Sequence, residues 1–168
     1  MPGLRTKTIT ALPTPYRVAH AVSNGYPPMT PGQFRELCRG ASRLLDYKDI
    51  DALFESRDTR IDGVKLGVFH NDDEDPEGIY CYVDLGAMGS AANPQALMEE
   101  VLAINLSLDA SLGEVIGLER DSRHLVLRVR LNERHEPFHE GELAAQLQHY
   151  AGIANELYRR VLTGVERP

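Results

Sequence analysis

The segment that most constrains this chain is Ala96–Leu108, ALMEEVLAINLSL, a short helix whose apolar surface is too wide for one cover. Asn93 stands where an N-cap belongs and Pro94 takes the first helical position. On a 3.6-residue wheel, Leu97, Val101, Ile104 and Leu108 form one face, and Met98, Leu102 and Leu106 form a second beside it. Only Glu99, Glu100, Ala103 and Ser107 are left for water. A surface helix ordinarily carries an apolar arc a little over about 100° wide, and this arc is roughly twice that. One face is expected against the chain's own sheet and the other against a second copy of the protein. Asn105 lies inside the arc, where a buried amide without a partner costs about 1–3 kcal/mol. Two partners are open to it: nearby backbone, or a group across a dimer seam, where one polar residue fixes register.

The elements around this helix follow from periodicity. Thr30 and Gln33 form a capping box around Pro31, and Phe34, Leu37, Cys38, Ala41, Leu44 and Leu45 recur at helical spacing as far as about Tyr47. Asp49–Arg60 is ambiguous between a short strand and a turn. Val64–His70 alternates, with Val64, Leu66 and Val68 on one face; Ile79–Leu85 alternates likewise, with Tyr80, Tyr82 and Asp84 outward. Asn71–Gly78, NDDEDPEG, reads as an acidic hairpin loop between them. Gly113–Glu119 and Leu125–Leu131 form a second hairpin, and a last helix runs over about Glu140–Leu162. The order is helix, two or three strands, helix, two strands, helix. Sequential hairpins make the sheet antiparallel, so the class is α+β, with about five strands and three helices.

Met1–Met29, with Pro2, Pro13, Pro15, Pro27 and Pro28, shows no sustained periodicity and reads as an N-terminal arm; residues 30–168 form the single domain. A net charge of −7 argues against nucleic acid or an anionic membrane as the main partner. No run of eighteen apolar residues is present, so no membrane-spanning helix is expected, and the N-terminus lacks a secretory pattern. Cys38 and Cys81 both fall on apolar positions and read as buried thiols in a reducing cytoplasm.

Few chemical motifs survive inspection. Gly86–Gly89 follows a strand but lacks the third glycine and the lysine of a phosphate loop. His135 and His139 have i, i+4 spacing, but Pro137 between them disfavours the helical turn a zinc pair would need. Asp72, Asp73, Glu74, Asp75 and Glu77 lack the spacing and central glycine of a calcium loop and read as a solvated tip. A metal-dependent enzyme would have to draw on His70, Asp72, Asp73 and His135 or His139. The outward Phe69, Tyr80 and Tyr82 fall together if their strands pair, and clustered exposed aromatics suggest a protein-binding surface or one packed under the arm.

Thr30–Leu162 resembles the class I type III secretion chaperones of the Tir-chaperone (CesT-like) family. The resemblance is carried by the Leu85-Gly86 step ending a strand, the run Leu97–Leu106 closing on Ile104-Asn105-Leu106, the strand Gly113–Leu118, the turn Arg120–Arg123, and Leu125–Leu131. It implies a small, acidic, cytoplasmic homodimer with no catalytic residue, cofactor or metal. Such chaperones bind an extended N-proximal segment of a secreted effector and keep it soluble and competent for export. A YbjN-like regulatory protein of the same fold is the neighbouring reading. Phe34, Leu37, Leu44, Phe69, Tyr80 and Tyr82 are the expected client anchors, and Leu97, Val101, Ile104, Asn105, Val115 and Gly117 the expected dimer contacts.

Overall fold

The computed structural model describes residues 29–55, 59–71, 75–108, 113–133 and 137–168. Most of the N-terminal arm, Asp72–Glu74 of the acidic loop and His135 lie outside these residues. The order is α1 (Pro31–Leu44), β1 (Thr59–Ile61), β2 (Val64–Asn71), β3 (Asp75–Ala87), a 3-10 turn (Met88–Ser90), α2 (Pro94–Asn105), β4 (Val115–Leu118), β5 (His124–Arg130) and α3 (Glu140–Arg160). The strands form one antiparallel sheet in the spatial order β1-β2-β3-β5-β4. It is an α+β fold, as the periodicity predicts.

Local chemistry sets the boundaries. Thr30 Oγ1 accepts from the Gln33 N–H while the Gln33 side chain accepts from the Thr30 N–H, so α1 starts on a complete capping box. Asn93 Oδ1 accepts from the Ala96 N–H at 3.1 Å and caps α2. The ambiguous stretch before Val64 resolves into turns and the short β1, joined to β2 through Asp62-Gly63, both at positive φ (49° and 77°). An Asp-Gly pair in the left-handed region is the two-residue hairpin turn whose twist suits the flanking strands.

The acidic hairpin is shorter than Asn71–Gly78. Asn71 pairs with Asp75 after a register shift at His70, so β3 takes in Asp75–Gly78. The reason is local: Asp75 Oδ2 accepts from the Tyr80 hydroxyl at 2.6 Å and from Arg130 Nη1 at 2.7 Å, which ties the stem of the loop to the sheet.

One core fills the helix-facing side. Val64, Leu66, Val68, Cys81, Val83, Leu85, Leu125, Leu127 and Val129 join Phe34, Leu37 and Ala41 of α1 and Leu143, Leu147, Tyr150 and Ala154 of α3. From α2, Leu97 and Val101 enter the same core beside Ile116. Gly86 sits at φ +92°, and a Cβ there would come within 2.2 Å of the Glu166 carbonyl oxygen, so the C-terminal tail closes over the end of β3 only because this residue is glycine. Burial pushes the Cys38 and Cys81 thiols up to about 12, in keeping with free thiols packed as apolar groups.

Candidate functional site

The other side of the sheet is built from the alternate residues of the same strands. Lys65, Gly67 and Phe69 of β2 lie beside Tyr82 and Tyr80 of β3, with Gly67 opposite Tyr82 and Phe69 opposite Tyr80. Arg128 and Val126 of β5 and Val115 and Gly117 of β4 continue the row. None of these side chains belongs to the core cluster.

The aromatic residues organise this surface. Phe69 stacks on Tyr82 at 4.4 Å between centroids and on Tyr80 at 5.2 Å. The Arg128 guanidinium lies 4.6 Å from the centre of the Tyr80 ring, an arrangement that favours a cation on the ring's negative face. Burial, then the hydrogen bond to Asp75, raises the pKa of the Tyr80 phenol. These contacts let Tyr82 stay 41 % exposed in a defined position.

Beside the stack runs a groove of ≈ 620 Å³ across β2, β3, β5 and β4. Gly67 and Gly117 open it: both lie on outward positions, neither has a positive φ, and an added Cβ at either would meet nothing within 4 Å. Backbone strain therefore does not require glycine here; the missing side chains leave the space. Tyr82, Val115 and Val126 give the groove apolar walls. Its polar residues are largely paired: His124 Nδ1 lies 2.8 and 3.0 Å from the two Asp84 oxygens, and Lys65 Nζ is 3.9 Å from Asp84. Such a surface can hold an apolar or aromatic segment by contact. Among the described residues no group of three or more His, Cys, Asp or Glu is placed to hold a metal.

The second exposed apolar surface is on α2. Leu97 and Val101 turn inward and are buried, Met98 and Ile104 are half-buried, and Leu102 and Leu106 are 61 % and 91 % exposed. The wide arc thus divides unevenly: Met98, placed on the second face, packs against the core with the first, and only Leu102 and the C-cap Leu106 are left to solvent.

Asn105 takes the nearby-backbone partner. Its Nδ2 donates to the Ile116 carbonyl at 2.9 Å and its Oδ1 accepts from the Ile116 N–H at 2.8 Å. Strand β4 is an edge of the sheet, and this amide takes up the backbone of Ile116 as a neighbouring strand would. On the opposite edge the Tyr47 hydroxyl donates to the Arg60 carbonyl of β1 at 3.1 Å. Side chains thus take up the backbone of one residue on each edge, Ile116 of β4 and Arg60 of β1.

The model of the Tir chaperone protein (CesT) family matches residues 63–154, from the start of β2 into α3, a span that contains the groove and all of α2. The chain belongs to the Tir chaperone (CesT) family. It is therefore a member of a chaperone family of type III secretion. No curated protein matches it. No helix among the described residues is long and apolar enough to cross a membrane.

In this CesT-family chain the expected site residues scatter over three places. Phe69, Tyr80 and Tyr82 form the outward stack. Phe34 and Leu37 are buried under the opposite face, where Phe34 packs 5.6 Å from the His70 ring, and Leu44 is exposed near the end of α1. Val115 and Gly117 line the groove, whereas Leu97 and Val101 lie in the core. His70 faces the carbonyl oxygens of Gly78 and Met29 with its two ring nitrogens. His139 precedes α3, where its N–H donates to Glu142. Three contributors went unread in the sequence: Gly67, Arg128 and the His124–Asp84 pair. A glycine between two inward β residues, Leu66 and Val68, was the available signal for the first.

Proposed function

We propose that this chain is a type III secretion chaperone that holds an extended, N-proximal segment of a secreted effector against the face of its sheet that is helix-free among the described residues. The observation that carries the reading is the stacked Phe69, Tyr80 and Tyr82 beside a groove that Gly67 and Gly117 keep open. An unfolded segment must regain the entropy lost on ordering, and a row of apolar and aromatic contacts along an extended path supplies that. With Asn105 and Tyr47 taking up the backbone of one residue on each sheet edge, the segment lies across the face instead of adding a strand at Ile116 or Arg60. Binding keeps the effector soluble and competent for export in the cytoplasm. The chaperone works as a homodimer joined through the outward residues of α2, Leu102 and Leu106, which no other part of the described chain covers. Phe34 and Leu37 support the client face from the core, and the anchoring falls to Phe69, Tyr80 and Tyr82.

The test is a paired substitution, Phe69→Glu with Tyr82→Glu, in the chain purified from its own cells, read against the secreted protein that co-purifies with the parent. The expected result is near-native circular dichroism, an unchanged oligomeric state and loss of the secreted protein. Retention of that protein by a folded double variant would place the client elsewhere.

A further inference from the structure

The N-terminal arm and a groove beside its point of attachment carry opposite charge. Residues 1–28 lie outside the described residues; their sequence holds Arg5, Lys7 and Arg17 and no acidic residue. Of the chain's 18 basic and 25 acidic residues, this leaves 15 against 25 for the remainder. The whole excess of negative charge therefore belongs to the domain, and the segment attached to it is purely basic.

The point of attachment is fixed at Met29. The Met29 N–H donates to the Pro76 carbonyl at 3.3 Å, His70 Nε2 lies 3.0 Å from the Met29 carbonyl oxygen, and the Met29 side chain packs half-buried against the core. Pro27-Pro28 immediately before it favours an extended approach. From Met29 a second groove opens between the first turns of α1 and the residues leading into α3. Its floor is apolar, with Leu37, Pro137 and Phe138 beside Met29 itself. Gly40 lets α3 approach α1 closely there, since a Cβ on it would meet the Glu140 side chain at 2.7 Å. Glu36, Glu133 and Glu140 stand on the rim, with Arg43 as the opposing cation.

We propose that residues 1–28 of the same chain dock in this α1–α3 groove as a basic strap, continuing from the seat that Met29 already occupies. At about 3.3 Å per extended residue the arm reaches up to about 90 Å, more than enough to run the groove's length. Its basic residues meet the glutamate rim while intervening apolar residues such as Ile9, Leu12 and Tyr16 cover the floor. Docked there, the arm leaves the helix-free face open, so this inference stands apart from the reading of the client site.

A nitroxide on Thr10→Cys in the full-length chain tests it. Cys38 and Cys81 are both 0 % exposed, so the label goes to the new thiol. Proton broadening in the isotope-enriched chain is expected at Glu36, Gly40, Glu133 and Glu140 and not at Gly67, Tyr82, Gly117 or Val126. It should fade in about 1 M salt, where the screening length is about 3 Å. It should also fade when Arg5, Lys7 and Arg17 are all replaced by Glu. Broadening centred on Gly67 and Tyr82 would overturn the proposal, as would uniform weak broadening, and so would broadening that survives both salt and charge reversal. A mixture of labelled unenriched chain and unlabelled enriched chain gives the last check: broadening there would assign the groove to another copy's arm and overturn docking within one chain.

Discussion

The two faces of the sheet are written in alternate letters of the same strands, yet they are held by different physics. On the helix side, Val64, Leu66, Val68, Cys81, Val83, Leu125, Leu127 and Val129 are close-packed and almost wholly excluded from water. On the other side, Phe69, Tyr80, Tyr82 and Arg128 meet through ring stacking and a cation over a ring, and Lys65, Gly67 and Val126 line the open groove beside them. The first face sets stability and tolerates little change of volume. The second is ordered by these contacts yet leaves a groove open, as the proposed client site requires. A chaperone for unfolded segments needs both: a core that does not depend on the client, and an apolar surface that does not collapse without it.

Substitutions along one strand should separate these roles most sharply. Leu127→Ala, on the buried face, is expected to cost about 2–5 kcal/mol in urea unfolding, whereas Val126→Ala next to it should cost less than about 1 kcal/mol. Equal losses would mean that the outward face is core after all. The edges come next. Asn105→Ala should cost about 1–3 kcal/mol because the Ile116 N–H and carbonyl lose their partner, and Asn105→Leu should not restore it, since leucine offers neither donor nor acceptor. Two variants as stable as the parent would show that water serves Ile116 equally well.

The third comparison concerns the outward face of α2. On the proposed homodimer, Leu102→Glu with Leu106→Glu should leave the circular dichroism unchanged and lower the mass in sedimentation from that of two chains to that of one; a parent already at one chain's mass would overturn the dimer, and an unchanged two-chain mass would remove α2 from its interface. The thiols provide a fourth check on the inward face. With both pushed up to about 12 by burial, Cys38 and Cys81 should resist alkylation at pH 8 in the native chain and react once urea unfolds it. The smallest expected effect is acid sensitivity where Asp51 meets Arg35 and Arg39 of α1. Hydrogen bonds from Arg39, then Arg35, hold the Asp51 carboxyl at about 2, below its ordinary range near 4. Because the folded value is depressed, this contribution is present above the ordinary range and is lost as pH falls towards about 2. Asp51→Asn should therefore flatten the parent's loss of stability over that interval.

Much of this was legible in the residues. Strict alternation in Ile79–Leu85 and Leu125–Leu131 identifies which side chains turn inward, and burial follows it except at Arg130, which is buried beside Tyr80 and Asp75. The two apolar faces of α2 are equally plain, because only one of them can fit against a single small sheet. The Asp62-Gly63 turn was readable too, but with only Thr59–Ile61 before it the strand is too short to show a period. The partner of Asn105 was not readable, since it depends on where β4 lies beside α2 across residues 106–114. Nor could spacing separate Phe34 and Leu37, which serve the core, from Phe69 and Tyr82, which serve the surface. All four are large apolar side chains, and only the third dimension assigns them to opposite sides of the sheet.

The most direct test of the claim that the helix-free face holds the client is to fill the groove without touching the core. Gly67→Val with Gly117→Val adds side chains where an extra Cβ meets nothing within 4 Å and no positive φ opposes it. The filled chain should unfold at the parent's urea concentration or above, since valine suits a strand better than glycine. A secreted protein that co-purifies with the parent should be lost from the filled chain. A filled chain that folds and keeps that protein as well as the parent does would contradict the account.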